Sequence, residues 1–176
     1  VARFDEVKET FWGEGRYGVQ PALTDAAVRD AERRLGVRLP ASLLELLRVQ
    51  NGGQVAEAWN AFPTEVPTSW SVNHAPLDSV LGIGPSDDWM SLLDTGCLVE
   101  EWGLPSPLVL LSGDGHYWIA LDYRACGPSG DPSVTWFDVE DGLELPLAAD
   151  FRTFVERLAS AASLDPDDAD GDCSAR

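Results

Sequence analysis

Residues 108–123, LVLLSGDGHYWIALDY, decide how this chain folds. Leu108 to Leu111 is an apolar run that Gly113-Asp114-Gly115 ends as a turn. Tyr117, Ile119, Leu121 and Tyr123 then alternate with Trp118, Ala120 and Asp122, the period-two pattern of a β-strand. After a Gly- and Pro-rich loop from Arg124 to Ser133, Val134 to Val139 reads as another strand. The spacing predicts an antiparallel meander over 108–139.

Helices flank this meander. Phe4, Val7, Phe11 and Trp12 fall at steps of three and four, which predicts a short amphipathic helix within an N-terminal extension, residues 1–22. Thr24 is placed to N-cap a helix reaching Leu35, with Val28, Ala31 and Leu35 on one face and Gly36 as its stop. Pro40 suits the first position of the next helix, where its missing N–H costs nothing. Leu43, Leu44, Leu46 and Leu47 give that helix a broad apolar side, closed by Asn51-Gly52-Gly53. Residues 54–76, with three prolines, are expected to be irregular with at most one short strand. A strand is expected over Leu77–Ile83, and a helix capped by Asp88 and limited by Gly96. Asp150 caps a final helix that turns Phe151, Phe154, Val155 and Leu158 inward. From Asp165 the chain reads as a solvated, disordered acidic tail, residues 165–176. The fold class expected is α+β, with the domain proper at 23–164.

The chain has 176 residues, enough for one domain, and a net charge of −18 from 12 basic and 30 acidic residues. Such a chain is repelled by phosphate backbones and anionic lipid, which argues against direct nucleic-acid or membrane binding. Hydrophobic residues at 44% supply a packed core. Cys97, Cys126 and Cys173 are odd in number and far apart, with no C-x-x-C pair, so neither a disulfide framework nor a zinc site is expected. A reducing, cytoplasmic location follows, although a start at Val leaves room for a trimmed segment. Eleven of the twelve basic residues are Arg, with Lys8 alone, a bias that suits a GC-rich bacterial genome.

Charge is unevenly placed. No Lys or Arg occurs between Arg48 and Arg124, a span holding ten carboxylates: Glu57, Glu65, Asp78, Asp87, Asp88, Asp94, Glu100, Glu101, Asp114 and Asp122. It also holds five of the seven tryptophans, at 59, 70, 89, 102 and 118. Unpaired carboxylates in a folded region repel one another. Two readings fit. The span is a surface built to meet a basic protein, with Asp87, Asp88, Glu100 and Glu101 steering and Trp59, Trp70 and Trp89 anchoring. Alternatively, acidity is a solubility trait and the tryptophans are core.

Catalytic constellations are weak. His74 and His116 are the two histidines, and the string LLSGDGHYW lacks the G-x-S-x-G elbow of a serine hydrolase. Adjacent acids such as Asp87-Asp88 and Glu100-Glu101 point in different directions in helix or strand. The tail DPDDADGD lacks the glutamate that completes a calcium loop, and no P-loop string occurs. The expectation is no enzyme, no metal and no cofactor.

The segment 23–53, LTDAAVRDAERRLGVRLPASLLELLRVQNGG, resembles the opening signature of the SUKH superfamily of Smi/Knr-type proteins. The matching features are Glu32, Leu35-Gly36, Leu39-Pro40 and Asn51-Gly52-Gly53. GLPSPLVLLSGDGHYWIALDYR at 103–124 is similar to the family's second signature, and ADFRTFVERL at 149–158 fits its closing helix. The resemblance covers roughly 23–160, with 54–107 aligning poorly. It implies helices packed on an antiparallel sheet and an intracellular protein-binding role. Bacterial members are commonly immunity proteins that neutralise a cognate polymorphic toxin, and fungal relatives act in cell-wall synthesis and signalling. The expected partner is a toxin of nuclease type or another basic protein; the alternative is a scaffold for an endogenous partner. Partner contacts are expected to vary within 54–107, and the signature residues look structural.

Overall fold

The central layer is a four-stranded antiparallel meander. It is formed by β5 (Leu108–Gly113), β6 (Tyr117–Asp122), β7 (Ser133–Asp138) and β8 (Leu143–Ala148), neighbours in chain order. The computed structural model of the chain describes residues 3–165. Every residue of β6 is buried, since both faces of the sheet are covered. Tyr117, Ile119 and Leu121 join the main core, while Trp118 and Ala120 join a second cluster with Leu108, Leu110 and Phe137. A bulge between Leu110 and Ser112 shifts the β5–β6 register by one residue.

The main core is closed by helices. α1 (Arg3–Thr10) contributes Phe4 and Val7, and Phe11 follows it into the core. α2 (Asp25–Leu35) is capped by Thr24, whose side chain accepts the Ala27 N–H, and stops at Gly36 in left-handed geometry. α3 (Ala41–Val49) inserts Leu43, Leu46 and Leu47. Pro40 stands at its N-cap, one residue ahead of the expected first helical position. Asp150 caps α5 (Phe151–Glu156) by accepting the Thr153 N–H at 2.7 Å. Phe154 of α5 stacks on Phe62 with ring centroids 5.1 Å apart. A short α6 (Ala161–Leu164) follows.

The middle of the chain departs from expectation. Residues 54–76 are more ordered than the prolines suggest: they hold the second residue of β1 (Gly53–Gln54), a 3-10 turn at Glu57–Trp59, β2 (Ala61–Pro63) and β3 (His74–Pro76). β2 pairs with β3, and β1 pairs with β4 (Ser79–Val80), so the strand expected over Leu77–Ile83 shrinks to two residues. The chain turns where the Leu77 N–H donates to the Asn60 carbonyl, and rejoins the meander where Leu81 donates to Leu111.

Asp88 caps no helix. Ser91 does so instead, buried, accepting the Leu93 N–H while Asp94 accepts the Ser91 N–H. A 3-10 turn, Leu92–Asp94, leads into α4 (Thr95–Glu101), which continues through Gly96. Reciprocal bonds inside the protein outcompete one exposed carboxylate. α4 lies against the second sheet face through half-buried Leu98 and Val99. The strand β8 is a further addition. Its Pro146 is tolerated because β8 is the sheet's edge, where a missing N–H breaks no ladder. The tail expected at 165–176 lies outside the described residues except for Asp165.

Candidate protein-binding surface

Apart from Gly36, the signature residues are buried or half-buried. Asn51 is 3% exposed; its Nδ2 donates to the carbonyls of Pro21 (2.7 Å) and Ile83 (2.8 Å), and its Oδ1 accepts the Ile83 N–H at 2.8 Å. A Cβ on Gly52 would lie 2.5 Å from the Gly82 nitrogen, and Gly52 has φ +86°, so glycine is required twice over. Glu32 accepts the Leu39 N–H at 2.9 Å and so fixes the link between α2 and α3. These residues hold three chain segments together and leave no group for a ligand.

The surface beside them is different. The β2–β3 hairpin carries a loop, 64–73, stitched by its own polar atoms. Thr64 N–H donates to the Asn73 carbonyl, Thr68 N–H to Ser71, and Thr68 Oγ1 to His74. His74 is buried and its Nδ1 lies 2.8 Å from Asn73 Oδ1 and 3.0 Å from Ser71 Oγ, so this histidine serves the loop. The stitched loop holds Val66, Trp70 and Val72 outward, Trp70 at 56% exposure. Trp70 meets Tyr117 edge-on with centroids 5.7 Å apart, and Tyr117 stacks on Trp136 at 4.4 Å.

Tyr117 links this loop to an acidic region. Burial raises its pKa, and the charges of Asp78 and Asp114 raise it further. Asp78 is itself raised, by partial desolvation and then by Asp114. Asp114 shapes the β5–β6 turn, its Oδ1 accepting the His116 N–H at 2.9 Å. Beyond Gly113 lie Trp89 and Met90, and Trp89 packs edge-on against Tyr17 at 4.6 Å. Asp87 and Asp88 border the same loop, exposed. A run of side chains, Trp70–Tyr117–Asp114 and, past Gly113, Met90–Trp89–Tyr17, thus sets aromatic and apolar groups beside the carboxylates of Asp78, Asp87, Asp88 and Asp114.

Of the ten carboxylates between Arg48 and Arg124, Asp122 alone is ion-paired among the described residues; Arg124 grips it and Glu144 together. The other nine have no ion-pair partner among the described residues, and four of them, Asp78, Asp87, Asp88 and Asp114, give the surface around the run a negative potential with apolar tips.

The seven residues nominated from sequence divide by location. Asp87, Asp88, Trp89 and Trp70 belong to the run just described. Glu100 and Glu101 sit exposed on α4, on the other side of the sheet; Trp102 beside them packs over Gly115, reaching the same turn. Trp59 lies elsewhere: its Nε1 donates to Thr10 Oγ1 at 3.0 Å and Arg3 covers its ring, which fastens α1 to the 3-10 turn. Sequence reasoning did not nominate Tyr17, Met90, Tyr117 or Asp138. Asp138 carried a signal, because a carboxylate two residues from Trp136 on one strand shares its buried face. His116 is exposed, 2.8 Å from Glu140, apart from Ser112 on the buried strand. Cys97 and Cys126 are both exposed free thiols. No helix among the described residues is long and apolar enough to cross a membrane.

No curated protein matches the chain. A family model does, over residues 22–157, a span that takes in the helical hairpin, the loop 64–73, the acidic run except Tyr17 and the whole meander. With the signature residues in place and most of its length matched, the chain belongs to the SMI1 / KNR4 family (SUKH-1).

Proposed function

We propose that this chain is a bacterial immunity protein, acting in the cytoplasm, that neutralises a cognate polymorphic toxin by direct binding and performs no catalysis of its own. The observation that carries this reading is the surface run in which the unpaired carboxylates of Asp78, Asp87, Asp88 and Asp114 accompany outward-held Trp70, Val72 and Met90. Aromatic and apolar tips supply anchoring area, and the carboxylates steer a basic partner and reject acidic ones. A nuclease-type toxin suits this charge, since its cleft must be basic to hold nucleic acid, and carboxylates then stand where phosphates go. The rigid loop limits the ordering cost on docking.

The test begins with the product of the neighbouring gene. The two proteins are expected to co-purify, and the chain is expected to protect cells that express the toxin. Reversing Asp87→Lys and Asp88→Lys together should slow association about tenfold at low ionic strength, and by less than about twofold at high salt. Association that ignores both salt and these substitutions would defeat the charge argument. Failure of co-purification and of protection would defeat the immunity reading.

A further inference from the structure

Between the loop 64–73 and the β7–β8 hairpin lies a cleft of about 130 Å³. Val66, Pro67, Leu143, Trp136 and Asp138 are among its walls. Asp138 is 4% exposed, and its two oxygens are used differently. Oδ1 accepts the Asp141 N–H at 3.0 Å and shapes the hairpin; Oδ2 is buried with no hydrogen-bond partner among the described residues. Glu144 also borders the cleft, but Arg124 occupies both of its oxygens at 3.1 and 2.7 Å. Asp138 is therefore the acid left unpartnered at this place. A buried carboxylate oxygen without a donor is costly, and a cationic donor arriving from outside relieves that cost.

We propose that the cleft receives one arginine side chain of the protein partner, its guanidinium donating to Asp138 Oδ2. The inference rests on the protein-binding reading and names the chemistry that one part of the surface recognises. Three features favour arginine. The cleft is small and open at its mouth, which admits a guanidinium with part of its stem. The walls other than Asp138 are largely apolar, and a methylene stem lies well against Val66 and Leu143. Guanidinium is weakly hydrated and stacks on indole, so entry beside Trp136 costs it less than it costs an ammonium. The cleft also adjoins exposed Trp70 and Val72, which places an arginine pocket next to the apolar tips of the docking surface.

The experiment uses the full chain and N-acetyl-arginine amide as probe, followed by the NMR signals of the Trp136 indole and the 66–69 amides. Saturable shifts in the millimolar range are expected. N-acetyl-citrulline amide, of the same shape without charge, should bind at least about tenfold more weakly. Asp138→Asn keeps an oxygen for the Asp141 N–H and should lose about tenfold in arginine affinity with its spectrum otherwise unchanged. Leu143→Lys, which sets a competing cation on the rim, should abolish the response independently. Shifts that never saturate, equal binding of citrulline amide, or undiminished binding by both variants would overturn the arginine assignment. Those results leave co-purification with the toxin unaffected, and failed co-purification leaves the probe titration unaffected, so the two readings fail separately.

Discussion

Asn51→Ala tests whether the Asn-Gly-Gly signature is structural. The substitution deletes three hydrogen bonds and strands three backbone groups: the Pro21 carbonyl, the Ile83 carbonyl and the Ile83 N–H. Each stranded buried group costs roughly 1–3 kcal/mol, less wherever water enters the vacated space. A net loss of about 3–5 kcal/mol is expected, a large share of the ~5–15 kcal/mol that usually holds a domain folded. Urea unfolding at pH 7, read by tryptophan fluorescence and far-UV circular dichroism, measures it. With a slope of about 2 kcal/mol per molar, the midpoint should fall by roughly 2 M without a change in slope. Asn51→Asp is the control: it keeps the acceptor but faces two carbonyls with a carboxylate, and should cost at least as much as alanine. A loss below about 1 kcal/mol for Asn51→Ala would refute the accounting, and with it the claim that this signature exists to join α3 to the segments before α2 and after β4.

Tyr123→Phe removes the hydroxyl by which a buried side chain donates to the Arg38 carbonyl at 2.6 Å, and should lower stability by about 1 kcal/mol in the same assay. Asp122 titrates in favour of the fold: burial works to raise its pKa, but the hydrogen bonds from Arg124 outweigh burial and leave it below the ordinary 3.8. Its contribution is complete above pH 3.8 and lost as pH falls through the lower folded value, so the stability gap between wild type and Arg124→Ala should narrow in that acid window. Asp78 has the opposite sign, its folded pKa lying above 3.8 through partial desolvation and the charge of Asp114. Its favourable contribution holds below pH 3.8 and fades as pH rises through the folded value. Asp78→Asn should therefore be slightly more stable than wild type at pH 7, with no advantage below pH 3.8, as thermal melts across pH will show.

The helical hairpin and three strands of the meander were legible because their signals are local: Thr24, Gly36, Asn51 and the alternation from Tyr117 act within a few residues of themselves. β1 with β4 could not be seen, since two residues have no period and their pairing, Gly53 with Val80, is set by the whole core. β8 has alternating leucines at 143, 145 and 147, but Pro146 within it reads as a breaker unless the strand is known to be an edge. Around Asp88 the nearer, buried Ser91 prevailed, a choice that depends on burial absent from the sequence. The charge map marks an acidic stretch of chain, yet it could not separate Trp59, fastened to Thr10, from outward-facing Trp70. Asp138 lies beyond that map; its place on the buried face with Trp136 follows from strand alternation, whereas its oxygen without a donor is revealed by packing alone.

The loop between β2 and β3 divides its labour by residue. Thr64, Thr68, Ser71, Asn73 and His74 fix its shape from within, while Val66, Trp70 and Val72 touch solvent. The tips are free to mutate while the frame that displays them stays put. Under the proposed immunity role, a lineage pressed to track a changing toxin has sites at which new specificities are tried with little risk to folding.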